Sequence, residues 1–509
     1  MKLIRLSYAA LCSSLMRAGP ALVLSSLAAC TVGPDFVAAR ASPPPAVTAA
    51  SSRQVLGAAE SGIGMAAWWT ALNDPTLNDV ERRALQGNLD LGEALTRIES
   101  ARASLRIAGA GGLPRAGGAA SYFRERSSTN GTRSLASSAG PAPDAAGGDD
   151  PVGTTVAPPA NAPFDLLQAG FDASWEIDLW GKNRRNREAA RADAQGAIFD
   201  SEVARISLSA EVARTYMMLR GAEERLRLLS ENRDVVASGL RIARDRQERG
   251  AATRYDAATA ATQLSAIEAQ LPAAERAASE ARNALAFLVG SEPHGLDALL
   301  KNDSGRVPGA EGAVPAGLPS DLARARPDIR SAEAALHAAT ARIGVAKADF
   351  YPSFSLTGSF GLQSLTLGNL PEWQSRQFIA GPVLRLPFFE GGRLKGRVDL
   401  ARADEKAAAI RYRAIVLRAW HEVDDALFAL RSEDLRVRAA GQGVEQSRIA
   451  LHVSQRRYAL GANGYLDVLI AQRAQLEREN ELVSARTDRA LALTALYKAL
   501  GGGWSPAGA

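Results

Sequence analysis

Phe171-Asp172-Ala173-Ser174-Trp175-Glu176-Ile177-Asp178-Leu179 alternates without a break: odd positions are apolar, even positions polar or acidic. Successive side chains on a strand point to opposite faces, so this spacing predicts a β-strand with one apolar face and one acid-bearing face. Asp172, Glu176 and Asp178 share the second. Residues 353–363 repeat the pattern, with Phe354, Leu356, Phe360 and Leu362 on one side and Ser, Thr and Gln dominating the other. A strand at about 377–389 is less regular, and one at about 119–126 is weak. Alternation of this kind fits a half-buried soluble sheet. It also fits a transmembrane barrel strand, which needs about 9–11 residues, aromatic ends and a polar inner face. Trp175, Trp180, Phe354, Phe360, Phe388 and Phe389 supply the aromatic residues.

Four strands cannot close a barrel, and open strand edges are not tolerated in lipid. If these strands span a membrane, several chains must share one barrel. Three chains would supply twelve strands, inside the known range of even-numbered barrels.

Working outward, each strand region leads into a long helical pattern without proline, about 187–249 and about 395–460. At 1.5 Å per residue each would be roughly 95–100 Å long. A helix of that length has to pack along other helices. Shorter helices are expected at about 77–107, 256–289, 328–346 and 465–500. The two halves align at a constant offset of 211 residues. Gly181 meets Gly392, Gly250 meets Gly461, Asp256 meets Asp467 and Gly290 meets Gly501. Upstream, at an offset of 238, Asp90 meets Asp328 and Pro114 meets Pro352. The difference predicts an insertion in the first copy, for which the Gly-, Ala-, Pro- and Ser-rich stretch at about 127–163 is the candidate, a mobile loop by composition. The period far exceeds that of solenoid repeats and reads as an internal duplication. Expected segments are a leader at 1–29, a linker at 30–65, a first repeat at 66–290, a linker at 291–320, a second repeat at 321–501 and a tail at 502–509.

The leader has Lys2, Arg5 and Arg17, then a short apolar core, then Leu27-Ala28-Ala29-Cys30. The apolar run is too short to span a bilayer and has the form of a secretory signal. The run ending in Cys30 resembles a bacterial lipobox. That resemblance implies cleavage before Cys30, S-diacylglycerol and N-palmitoyl groups on it, and, with Thr31 following, sorting to the outer membrane. An ordinary signal with a chance cysteine is the alternative. Cys12 leaves with the leader, so the mature chain has one cysteine and no internal disulfide. His294, His337, His421 and His452 are scattered, and no metal-ligand spacing or other cofactor site is expected. The net charge of +5 and pI near 9.3 do not point to nucleic acid, because basic and acidic residues interleave along the helices.

Several local marks then fall in a fixed order: Trp68-Trp69, Asp74-Pro75, Asn88-Leu89-Asp90, Trp175 to Gly181, Arg326-Pro327-Asp328-Ile329, Phe350-Tyr351-Pro352, Pro387 to Gly392, and Arg457 to Gly461 with Tyr465 to Leu469. In that order the chain resembles the TolC-family outer-membrane efflux factors, most of all the NodT-type lipoprotein branch of tripartite pumps of the RND type. The resemblance implies a mixed α+β membrane protein. It would be a homotrimer with a twelve-stranded transmembrane barrel, four strands per chain, continued by a long periplasmic α-helical barrel. Its implied partners are a periplasmic adaptor, an inner-membrane pump and outer-membrane lipid. Its implied task is passive export of drugs or small molecules; a type I protein-secretion duct is a variant.

No bond is made or broken in such a duct, so lining and gate matter most. Threefold copies of Asp172, Glu176 and Asp178 would form acidic rings in the lumen, which favour cations. Asp467 matches the family's acidic constriction, whose neighbouring acidic position is Ile470 here. Asp467 as a plain helix-start residue suits the helix dipole equally. Asp256, its repeat partner, is a second candidate for the gate, although its local sequence Arg254-Tyr255-Asp256 diverges. Gly461 and Gly250 fit helix-ending turns, and the family uses this region for adaptor docking. Tyr458 reads as packing rather than as a gate latch. A non-conducting lipid-anchored coiled-coil tether would leave the alternating strands unexplained, and an enzyme would lack any nucleophile–base or metal constellation.

Overall fold

The computed structural model of the protein describes residues 31–38, 65–126, 163–250, 252–301, 305–309 and 326–502. Cys30 and nearly all of the 127–163 insertion lie outside the described residues. In chain order the main elements are α1 (Pro75–Gly87), α2 (Leu89–Ala110), β1 (Arg115–Glu125), β2 (Phe164–Ile177), α3 (Lys182–Glu248), α4 (Arg254–Glu268), α5 (Leu271–Val289) and α6 (Asp297–Leu300). There follow α7 (Pro327–Ala348), β3 (Ser353–Ser364), β4 (Arg376–Arg385), α8 (Arg393–Ala459) and α9 (Tyr465–Ala499). They fall into two compact units. One draws on Met1–Asp35, Leu105–Ala189 and Thr340–Arg402, the other on Phe36–Ser104, Ala190–Ala339 and Ala403–Ala509.

The first unit holds one antiparallel sheet in the order β1-β2-β3-β4. β1 starts at Arg115 and β2 at Phe164, both earlier than the alternation alone predicts. The glycines and alanines of β1 carry little pattern, and pairing with β2 supplies the register: Gly117 faces Asp172 and Ala119 faces Gly170.

The second unit is helical. Its main core gathers Trp68, Leu77 and Val80 with Val212, Tyr216 and Met217 of α3, Leu285 of α5, Leu430 of α8 and Leu496 of α9. Asp74 caps α1 by accepting from Leu77 N at 2.9 Å. Its other oxygen accepts from the buried Tyr216 hydroxyl at 2.8 Å. Burial pushes the Tyr216 phenol upward. Trp68 stacks on Tyr497 at 4.9 Å.

Two expected helices are broken. The 77–107 segment divides at Asn88, whose extended backbone lets its Oδ1 cap Leu91 N at 2.9 Å while its Nδ2 donates to Leu288 O at 2.9 Å. The 256–289 segment divides at Gln270, because Pro272 has no N–H and its ring clashes with the preceding turn. Val483 occupies the matching place in α9, which runs unbroken for 35 residues.

The long helices are each 67 residues, about 100 Å. Both ends correspond at the 211-residue offset. The paired glycines share left-handed backbones: φ is +79° and +86° at Gly181 and Gly392, +72° and +75° at Gly250 and Gly461, and +77° at both Gly290 and Gly501.

Candidate functional site

Two regions carry the predicted residues, one in each unit. In the sheet, directly paired residues share a face. Asp172 pairs with Ser359, Ser174 with Thr357 and Glu176 with Ser355, making a polar face. Phe171 pairs with Phe360, and Phe360 with Phe378, making an aromatic row across three strands. Trp175, Leu356 and Pro382 form a second row, and Ile177, Phe354 and Leu384 a third. This apolar face is uncovered: Phe171, Phe360 and Phe378 are 73%, 52% and 81% exposed. Soluble monomers rarely leave so contiguous an apolar surface in water.

The polar face differs from the predicted acidic one in two ways. Asp178 is not on it. β2 ends at Ile177, and the Asp178 carboxylate accepts from Arg184 N at 2.9 Å, with Arg184 Nε at 3.5 Å, at the entry to α3. Two arginines join it instead: Arg115 pairs with Ser174, and Arg385 with Ser353. The face therefore mixes Asp172 and Glu176 with Arg115 and Arg385. The weak pattern of β1 hid Arg115, and its pairing was the missing signal.

In the helical unit, the turns after α3 and α8 hold the two glycines. Gly461 N donates to Tyr458 O at 3.0 Å and Ala462 N to Arg457 O at 2.8 Å, which closes the end of α8. Gly250 N donates to Gln247 O at 3.0 Å. A Cβ built at either glycine meets no atom of the described residues within 4 Å, chain neighbours aside, so the left-handed backbone is what calls for glycine.

The paired aspartates differ. Asp256 belongs to a capping box: its Oδ2 accepts from Thr253 N at 3.0 Å and from Thr253 Oγ1 at 2.8 Å, while Asp256 N donates to Thr253 Oγ1 at 3.3 Å. Asp467 lies in the first turn of α9, which has Gly464 as its N-cap and no side-chain cap. Its side chain is exposed and has no hydrogen-bond or ion-pair partner among the described residues. Behind it, Tyr465, Val468 and Leu469 pack on Leu240 and Ala243 of α3 and Ala260 of α4. Tyr458 lies 5.3 Å from the Tyr465 ring and beneath the Arg246 guanidinium at 4.6 Å. Burial raises the Tyr465 phenol. Ile470 is exposed.

No helix among the described residues is long and apolar enough to cross a membrane, and no group of His, Cys, Asp or Glu among them is arranged to hold a metal ion. An amphipathic antiparallel sheet with an uncovered apolar face, in a chain that also has two very long helices, fits the class of outer-membrane proteins. Residues 80–291 and 318–502 match the outer membrane efflux protein family, and the chain belongs to it. It is 32% identical over 489 residues to outer membrane protein OprJ of Pseudomonas aeruginosa, covering 95% of each chain. It is 30% identical over 483 residues to Nodulation protein T of Rhizobium leguminosarum bv. viciae, covering 94% of this chain and 92% of that one. The solved structure of the outer-membrane channel OprN matches with a TM-score of 0.80 at 29% identity, over 94% of this chain and all of that one. The protein is an efflux channel of the outer membrane, in the TolC-like group that includes the NodT branch. That family is one of channels, not of enzymes.

Proposed function

We propose that three copies of this chain form a passive exit duct for small molecules, with a twelve-stranded barrel and a helical barrel built from duplicated halves at 66–290 and 321–501. The observation that carries this reading is the four-stranded sheet: among the described residues its outer strands β1 and β4 each have one unpaired edge and its aromatic rows are uncovered. Such edges need partners in lipid. A second apolar surface supports the assembly. On α8, five of the seven exposed large apolar residues, Ile410, Leu417, Phe428, Leu435 and Val453, recur after 7, 11, 7 and 18 residues, close to whole numbers of 3.6-residue turns. That makes a single stripe for a neighbouring copy.

In this reading Asp467 forms the constriction, because its carboxylate has no local partner and three copies would repel one another and attract cations. Asp256 serves its capping box instead. The Gly250 and Gly461 turns receive a periplasmic adaptor, and an inner-membrane pump supplies cargo. Cys30 carries the lipid anchor.

The test is conductance of the purified mature protein in planar bilayers beside Asp467→Ala. Small cation-selective steps that grow in the variant are expected. Equal steps in both would move the constriction elsewhere. No steps from either, with insertion verified, would refute the duct.

A further inference from the structure

The residues directly after Cys30 are fitted into the sheet-bearing unit with unusual care. Val32 N donates to Trp180 O at 3.1 Å. Thr31 lies over Gly181, where an added Cβ would stand 2.5 Å from Thr31 Cγ2. Gly33, at φ +114°, meets Gly344 backbone to backbone: a Cβ on Gly33 would stand 2.5 Å from Gly344 Cα. A Cβ on Gly344 would stand 2.8 Å from both Val32 O and Arg185 Cγ. Gly181 and Gly344, from two separate stretches of chain, thus leave room for one short segment, and Gly33 within that segment allows the close approach to Gly344. Beyond them Arg185, almost wholly buried, donates from Nη2 to Asp35 at 2.6 Å and from Nη1 to Glu188 at 2.8 Å. Trp180, which accepts the Val32 bond, also stacks on Tyr351 at 4.7 Å and donates from Nε1 to Pro352 O at 2.8 Å, one residue before β3.

We propose that Thr31–Asp35 is a strap that ties the N-terminal membrane anchor to the foot of the β-sheet. The inference rests on the reading that Cys30 is acylated. Cys30 precedes Thr31 by one peptide bond, so an acyl group on it would join the chain two residues before the Val32–Trp180 hydrogen bond. Through Trp180 and Gly181 the strap touches the link between β2 and α3, and through Gly344 it touches the last turns of α7, the helix that precedes β3. Any stabilisation that the lipid lends the sheet passes through those contacts. A loose N-terminal linker would give no such coupling, because a slack chain transmits little restraint.

The experiment is a double-mutant cycle on the full chain in reconstituted bilayers, read as the thermal midpoint by circular dichroism. Gly33→Val removes the strap contact from the strap side and leaves the body of the protein untouched. Cys30→Ser, exported with an ordinary cleavable signal, removes the acyl group. Radiolabelled palmitate incorporation is measured on wild type and on Gly33→Val. Asp35→Ala, an exposed position further from the lipidation motif, repeats the cycle with a milder variant. Gly33→Val is expected to lower the midpoint by several degrees in the acylated protein and to change little once Cys30 is Ser. Additive losses, or no loss in the acylated protein, would overturn the strap. Absence of label from wild type would instead overturn acylation of Cys30.

Discussion

Replacing Glu81 with Gln isolates the effect of one buried proton. Glu81 lies on α1 with no exposed surface, among Leu77, Val80 and Ala84, and neither carboxylate oxygen has a hydrogen-bond partner among the described residues. Burial therefore holds the carboxyl well above its usual range, and the nearby Ser209 hydroxyl offsets only part of that. A group whose folded-state pKa is raised contributes its stability in full below the unfolded value, near 4.3 for Glu. The contribution is lost as pH rises toward the folded value, because the native state must keep a proton that the unfolded chain releases. The slope is about 1.4 kcal/mol per pH unit per protomer. Glutamine keeps the shape and needs no proton. Between pH 5 and pH 7, Glu81→Gln should gain at most about 2.7 kcal/mol on wild type. Denaturant titration of both proteins in detergent at pH 5, 6, 7 and 8 measures the difference. A difference that does not change with pH would show that Glu81 titrates normally and that water reaches it, which would refute the reasoning.

Gly239→Ala should destabilise the packing of α9 on α3 by about 1–3 kcal/mol, because the new methyl group would overlap the Tyr465 hydroxyl. That hydroxyl is buried without a hydrogen-bond partner among the described residues, so Tyr465→Phe should be near neutral alone and should restore much of the loss in the double variant, as followed by thermal melting. Asp256→Ala should cost about 1 kcal/mol by removing the capping box and leave single-channel conductance unchanged; a conductance change would make it a gate residue. Phe360→Arg, in the middle of the aromatic row, should cost about 2–4 kcal/mol if that row faces the bilayer midplane. It should reduce the protein recovered in outer-membrane fractions, and unchanged recovery would argue that the row does not face lipid.

Local chemistry was legible in the amino-acid sequence wherever a rule acts over a few residues. Alternation in 171–177 and 353–363 set the two faces of β2 and β3, because side chains on a strand change sides at every step. Long proline-free stretches set α3 and α8, and glycine marked the turns at 250 and 461, because a left-handed backbone excludes most other residues. The break at Pro272 follows from the same kind of rule, although the helical pattern runs on from 256 to 289 across it. Tertiary structure alone decided the rest. β1 had no clear pattern of its own, so only its ladder with β2 brought Arg115 to the face of Asp172 and Glu176. Asp178 continued the alternation in sequence, yet Arg184 drew its carboxylate out of the sheet. Asp256 and Asp467 stand at matching places, but a threonine three residues earlier engages the first, while a glycine there leaves the second free of local partners. Glu81 reads as an ordinary surface helix residue until α1 packs against α3. In each case the deciding partner or covering surface was set by how particular neighbours pack, which a pattern of residue types does not encode.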